Sequence, residues 1–289
     1  MRRTTTKYLF AAVLAAFAAS HACGDQISLV PVADSSIYSE PFAVLTNGSG
    51  QYIFAGKVIR SEYVRRAILR FDLSSIPAGS TINAVALQLY MSRTIAGPLP
   101  FALHRMNASW GEGASDPEGQ EGGGTDPVTG DSTWFYRFWQ TTQWATPGGD
   151  FIQTASASTV VDQNGFYTWA SSGLVADVQT WLATASANHG WILIGPEDEH
   201  SAKRFDSREN PVPANRPTLI ITFTPPVTLC QGDADNNGQV NFADITAVLG
   251  NFNADYTPVL NGQGDANHDG VVNFADVTTV LARFGLACA

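Results

Sequence analysis

Gly232-Asp233-Ala234-Asp235-Asn236-Asn237-Gly238-Gln239-Val240-Asn241-Phe242-Ala243-Asp244 returns 32 positions later as Gly264-Asp265-Ala266-Asn267-His268-Asp269-Gly270-Val271-Val272-Asn273-Phe274-Ala275-Asp276. Counted from the first Asp, each copy carries oxygen-bearing side chains at positions 1, 3, 5, 9 and 12, with Gly at 6. They are Asp233, Asp235, Asn237, Asn241 and Asp244, then Asp265, Asn267, Asp269, Asn273 and Asp276. Calcium takes about six to eight hard oxygen ligands gathered by a tightly turning loop, and Gly allows that turn where a Cβ would clash. Position 7 offers only its backbone carbonyl, so Gln239 and Val271 differ freely. Each loop holds three carboxylates, more negative charge than one divalent ion carries. One copy alone would be matched by a solvated Asp/Asn turn without metal. Two copies in one register favour two bound Ca2+ ions.

Each loop runs into an amphipathic stretch: Phe242, Ile245, Val248, Leu249 and Phe252, then Phe274, Val277, Val280, Leu281 and Phe284. An EF-hand also has a helix entering the loop. Here Pro225-Pro226-Val227-Thr228-Leu229 and Thr257-Pro258-Val259-Leu260-Asn261-Gly262 leave no room for one. A calcium loop with only an exiting helix, given twice, resembles the type I dockerin module of polysaccharide-degrading assemblies. The resemblance covers Gly232 to Gly285. It implies a small calcium-folded helical pair that docks onto a cohesin module. Loop positions 10 and 11, where that family makes cohesin contacts with small hydroxyl residues, are Phe242-Ala243 and Phe274-Ala275. Cys230 and Cys288 flank the duplicated segment. Two similar repeats packed about a pseudo-twofold axis bring the start of one beside the end of the other, so this pair is expected to form a disulfide. Cys23, far upstream, is a poor competitor.

Upstream of Thr224-Pro225-Pro226 the composition changes. From Ile27 to Thr224 apolar residues alternate over many short segments. Ala67, Leu69, Phe71 and Leu73 interleave with Ile68, Arg70 and Asp72; Val85, Leu87, Leu89 and Met91 with Ala86, Gln88 and Tyr90; and Leu219, Ile221 and Phe223 stand at every second position. Period two broken by Gly, Pro, Asn and Ser predicts an antiparallel β-sandwich, of jelly-roll rather than immunoglobulin type. Leu174, Val175, Val178, Trp181 and Leu182 fall instead at helical spacing, predicting one short helix over Gly173 to Thr184. Gly111 to Ser132 is a long Gly- and acid-rich loop. The expected organisation is a signal peptide over 1–24, a β-sandwich domain over 25–224, a linker over 225–229 and the calcium-loop domain over 230–289.

Ala67-Ile68-Leu69-Arg70-Phe71-Asp72-Leu73-Ser74-Ser75-Ile76-Pro77 and Lys203-Arg204-Phe205-Asp206-Ser207-Arg208-Glu209, followed by Arg216-Pro217-Thr218-Leu219, resemble the DNRLRE family. These β-sandwich modules of secreted proteins are related to carbohydrate-binding modules with alginate-binding members, so the resemblance implies glycan binding. It does not identify the contact residues. Flat rings stack on pyranose faces, and Trp134, Tyr136, Trp139 and Trp144 crowd just after the acidic loop, with Trp110 just before it. The bland alternative is that they cover the core. Arg60, Arg65, Arg66 and Arg70 are candidates for an acidic sugar, with strand alternation sending Arg66 and Arg70 to one face and Arg65 to the other. Arg204, Asp206, Arg208 and Glu209 read first as a structural charge network at a strand end. Glu112, Asp116, Glu118, Glu121, Asp126 and Asp131 have a spacing that fits no metal loop.

The chain begins with Arg2, Arg3 and Lys7, then an apolar run from Tyr8 to Ala19, then small residues. That is the layout of a secretory signal, with lipidation at Cys23 as the rival. No later stretch reads as a membrane span, so the expected location is extracellular or at the cell surface. The 289 residues carry a net charge of −10, from 16 Lys and Arg against 26 Asp and Glu, which disfavours nucleic acid as a partner. His104, His189 and His200 stand singly, and no Ser/His/Asp or metal-hydrolase motif is present. The expectation is a secreted, non-catalytic polysaccharide-binding protein with an attachment module. A glycoside hydrolase or polysaccharide lyase acting through two carboxylates and a surface structural protein remain open alternatives.

Overall fold

The computed structural model describes residues 24–40, 44–59, 63–226, 229–256 and 262–288. The expected signal segment lies outside these apart from Gly24, as do Cys23, Arg60 and part of the linker. The chain divides into two compact units after Pro225, beside the shift in composition. Among the described residues no helix is long and apolar enough to cross a membrane.

The N-terminal unit is mainly β. Its strands are β1 (Asp25–Leu29), β2 (Pro31–Tyr38), β3 (Thr46–Asn47), β4 (Tyr52–Lys57), β5 (Val64–Phe71), β6 (Thr81–Thr94) and β7 (Leu99–Arg105). After these come β8 (Tyr136–Phe138), β9 (Thr142–Gln143), β10 (Ala157–Val161), β11 (Gly165–Ala170), β12 (Trp191–Ile194), β13 (Lys203–Asp206) and β14 (Thr218–Thr224). Twelve of them form one large curled antiparallel sheet in the order β1-β14-β6-β13-β4-β5-β12-β7-β10, with β11 on the other edge of β6, and β2 with β3 along β5. The short β8–β9 ribbon stands apart. Many pairs join sequentially distant strands, as when Leu219 of β14 sits opposite Leu87 of β6, and there alternation rather than a local turn fixes the register.

Two apolar clusters flank the half of the sheet built on β5. Ala67, Leu69 and Phe71 enter the main core with Leu87, Leu89, Met91, Trp169, Trp191 and Phe205. Ile68 points the other way, into a second cluster with Ile37, Met106, Trp110, Trp144 and Ile192. β5 is thus buried on both faces at its centre, whereas alternation alone predicted a half-exposed strand: the excursion between β7 and β10 covers its outer face. The expected helix is present as α1 (Ser172–Ala183), started by the Ser171 side chain accepting from Leu174 N, and it buries Leu174, Val178 and Trp181.

In the C-terminal unit each loop of the repeat leads into a nine-residue helix, α2 (Phe242–Gly250) and α3 (Phe274–Ala282). Among the described residues no helix enters either loop, in line with the prolines ahead of them. The halves interlock symmetrically. Gly232 N donates to Ala266 O and Gly264 N to Ala234 O, both at 2.8 Å. Gln239 bridges to Ala287 beyond α3, and Val271 to Asp255 beyond α2. Ala234, Val240 and Val248 meet Ala266, Val272 and Val280 in a small core. The amphipathic expectation needs one correction. Phe252 and Phe284 lie past the ends of α2 and α3. Phe242, Leu249, Phe274, Leu281 and Phe284 are exposed, because nine-residue helices facing a single partner bury only the narrow stripe through Val248 and Val280. Phe242 instead packs edge-on against Phe284 at 5.1 Å, and Phe274 against Phe252 at 5.3 Å. Cys230 and Cys288 form a disulfide, their Cα atoms 5.6 Å apart.

Candidate functional site

The duplicated loops turn their oxygens inward by a shared wiring. Asp233, at position 1, accepts from Asn237 N at 3.0 Å and Gly238 N at 2.7 Å. Asp265 accepts likewise from Asp269 N at 3.1 Å and Gly270 N at 2.9 Å. Position 3 folds onto position 5: Asn237 Nδ2 donates to Asp235 Oδ2, and Asn267 Nδ2 to Asp269 Oδ2, both at 2.9 Å. Gly238 and Gly270 have φ of 86° and 88°, the left-handed turn that position 6 requires.

Positions 9 and 12 serve the loop and the helix together. Asn241 and Asn273 are the N-caps of α2 and α3, and Asp244 and Asp276 complete capping boxes. Asp244 is fully buried; its Oδ2 accepts from Asn241 N at 2.7 Å and its Oδ1 from Ala234 N at 2.7 Å. The carboxylate therefore ties the start of the loop to the first turn of the helix. In the first loop, ligand atoms of Asp233, Asp235 and Asp244 lie within 4.8 Å of one another. Burial raises the Asp235 carboxyl above its ordinary range, and the charges of Asp244 and Asp233 raise it further. From Pro226 onward the chain has seven Asp, no Glu or Lys, and Arg283 as its one Arg, which bonds to Gln231. Such a donor set suits a hard divalent cation: the residues that could hold one are Asp233, Asp235, Asn237, Gln239 through its carbonyl, Asn241 and Asp244. Their counterparts are Asp265, Asn267, Asp269, Val271 through its carbonyl, Asn273 and Asp276.

The aromatic residues singled out in the N-terminal unit divide into two groups. Trp110 and Trp144 are buried in the second cluster, with Nε1 donating to His189 O and Thr133 O, both at 2.8 Å. Rings so placed offer no face to a sugar. Trp134, Tyr136 and Trp139 stay partly exposed, with Tyr136 and Trp139 edge-to-face at 5.1 Å on and beside the β8–β9 ribbon. Arg66 lies over the Trp134 ring at 4.7 Å and pairs with Glu197 at 2.7 Å. Arg70 lies over Trp110, while Arg65 points to the opposite face over Tyr38 and Phe54, as alternation predicts.

The acidic loop is held by its carboxylates. Glu121 accepts from Asn47 Nδ2, Gln51 N and Tyr52 N, each at 3.0 Å, and Asp131 accepts from Val128 N at 2.6 Å. Glu112 binds Arg208 at 2.8 Å, and Arg208 also pairs with Glu209 at 2.7 Å. Asp34 joins this group by accepting from Arg208 N at 2.8 Å. Burial pushes the Asp34 carboxyl well above the usual carboxylate range, and Glu209 and Glu112 add to it. Burial likewise raises Glu209, with Arg208 opposing. Arg204 stacks on Tyr52 at 3.7 Å, and Asp206 accepts from Asn215 at 3.0 Å. Sequence reasoning missed Lys203, a fully buried cation donating to Thr94 Oγ1 at 2.8 Å and to the carbonyls of Ala96, Gly97 and Asp162. The unusual feature that could have flagged it is a charge at a core position of β13, next to Phe205. Comparison of the chain with protein-family models and with curated proteins finds no match.

Proposed function

We propose that this chain is a secreted, non-catalytic polysaccharide-binding protein whose C-terminal unit is a dockerin-like module folded on two calcium ions. The observation that carries the proposal is the twinned loop, in which six carboxylates and four Asn side chains are held in one repeated geometry with one Arg in the whole unit. Each Ca2+ would supply the positive charge that lets three carboxylates share a loop, and through positions 9 and 12 it would lock the start of the following helix. The curled sheet of the N-terminal unit agrees with a jelly-roll module of DNRLRE type, and Trp134, Tyr136 and Trp139 are its candidate sugar contacts. The exposed Phe242, Leu249, Phe274 and Leu281 give the module apolar faces for a cohesin-like partner.

The test has two arms on the full exported chain. Calorimetric titration of chelator-treated protein should show two calcium ions per chain, and Asp233→Ala with Asp265→Ala should abolish both. A glycan array should show binding without release of reducing or unsaturated ends. Zero bound calcium defeats the first half of the proposal. An empty array, or product release, defeats the second.

A further inference from the structure

A cleft of about 750 Å3 opens between the paired ends of β4 and β5 and the end of β6. Its described lining includes the cations Arg65, Arg93, Lys203 and Arg204 and the apolar residues Phe54, Val58, Ile59 and Ile95, with no carboxylate. In a chain with a net charge of −10, that local excess of positive charge runs against the composition. Arg65 is the key residue. Its Nε is buried and has no hydrogen-bond partner among the described residues, while its guanidinium lies 5.1 Å from the Tyr38 ring and 5.9 Å from that of Phe54. Among the described residues Tyr38 and then Glu40, both outside the lining, act on it electrostatically.

The acceptor oxygens of the neutral side chains in the cleft are already engaged. Gln120 Oε1 accepts from Arg204 at 2.7 Å and Arg93 at 3.3 Å. Thr94 Oγ1 accepts from Lys203 at 2.8 Å and Ala96 N at 3.0 Å. What these side chains leave for a ligand is donors, the guanidinium groups and the Gln120 amide N–H, together with apolar wall. A hydroxyl-rich sugar would find few free side-chain acceptors for its hydroxyl protons, and each hydroxyl buried unpaired costs free energy. A carboxylate on a short apolar body would satisfy both features, since Arg presents a planar donor fork to a carboxylate and aliphatic walls take up the body.

We propose that this cleft binds an amphipathic carboxylate, an aryl or alkyl acid whose head group meets Arg65, with Arg93 and Arg204 at the rim and Phe54, Val58, Ile59 and Ile95 around its body. None of its described lining residues belongs to the aromatic ribbon or to the duplicated loops, so the proposal stands whether or not the chain binds polysaccharide.

Calorimetry on the full chain in calcium would use 4-phenylbutyrate, its neutral analogue 4-phenylbutanol, and glucuronate. Saturable binding of phenylbutyrate is expected, with phenylbutanol at least about tenfold weaker and glucuronate not competing. Arg65→Gln should weaken phenylbutyrate at least about tenfold. Because Arg65 also packs on two rings, Ile95→Asp, at a residue 44% exposed, provides a second variant that adds a repelling charge without touching the core. An unchanged affinity in a folded Ile95→Asp protein, equal binding of the alcohol, displacement by glucuronate, or no saturation by phenylbutyrate would each overturn the proposal.

Discussion

If the duplicated loops exist to hold cations, their carboxylates must cost stability when no cation is present. Asp235→Asn isolates that cost. Two unit charges 4.8 Å apart, the outer limit for ligand atoms of Asp233, Asp235 and Asp244, repel by about 3.5 kcal/mol at an effective dielectric of ~20. Asp235 is partly exposed, so solvent screening reduces this to ~1–2 kcal/mol per pair. The substitution removes two of the three pairs and keeps an oxygen that can accept from Asn237 N, the 3.1 Å bond that Asp235 Oδ1 makes. The expected gain for the calcium-free C-terminal unit is therefore about 2–4 kcal/mol.

In calcium the sign reverses, because the variant has lost a charged ligand and the binding energy that accompanies it. Hydrogen exchange of the α2 and α3 peptides, in chelator and in calcium, reads both states. All seven tryptophans lie at or before Trp191, so their fluorescence reports the N-terminal unit alone and serves as an internal control. Asp235→Asn should protect the helices better than wild type in chelator and worse in calcium, with fluorescence unchanged. A variant less protected than wild type in both conditions would mean that Asp235 is a structural turn residue, and the cation argument would fail for this loop.

Reducing the Cys230–Cys288 disulfide, or replacing Cys288 by Ser, should destabilise the C-terminal unit by roughly 4 kcal/mol through loop-closure entropy over a separation of 58 residues. Denaturant titration in calcium checks this, and a loss under about 1 kcal/mol would contradict it. Gly190→Ala should cost the N-terminal unit on the order of 3 kcal/mol or more, since its φ is 79° and an added Cβ would lie 1.9 Å from Leu69 O. An unchanged tryptophan-detected melting temperature would refute that reasoning. The third concerns pH. Burial raises the folded-state values of Asp34, Glu121, Asp131 and Glu209 above their ordinary range. The folded form then binds protons that the unfolded form releases, so the N-terminal unit should gain stability as pH falls from neutral through those raised values. The gain should end near the ordinary carboxylate range of about 4. Asp34→Asn should flatten the rise, and a melting temperature that falls steadily over that interval would count against the assignment.

How much of this was legible in the sequence depended on the distance along the chain between the groups that make each feature. Every side chain of such a loop lies within one 12-residue stretch, so spacing alone singled out Asp233 to Asp244 and Asp265 to Asp276, whereas the capping role of Asn241 and Asn273 came only with the structure. The disulfide needed one further step, the pairing of two similar halves. Strand alternation was equally local and gave the inward faces of β5, β6 and β14. It did not say what would cover the outward face of β5, because Trp110 and Trp144 reach Ile68 from roughly 40 and 76 positions away in the chain, and nothing local distinguishes a tryptophan bound for a second core from one bound for a sugar. The same holds for Glu121, whose partners Asn47, Gln51 and Tyr52 lie 69 to 74 positions upstream. The cationic cleft is the extreme case, since β4, the end of β6, Gln120 and β13 are brought together only by the order of strands in the sheet. The loops of the C-terminal unit are built from contiguous residues, so their wiring follows from local spacing. In the N-terminal unit the cleft and the exposed ribbon are assembled by topology, and experiments on the proposed binding should start from them rather than from runs of suggestive residues.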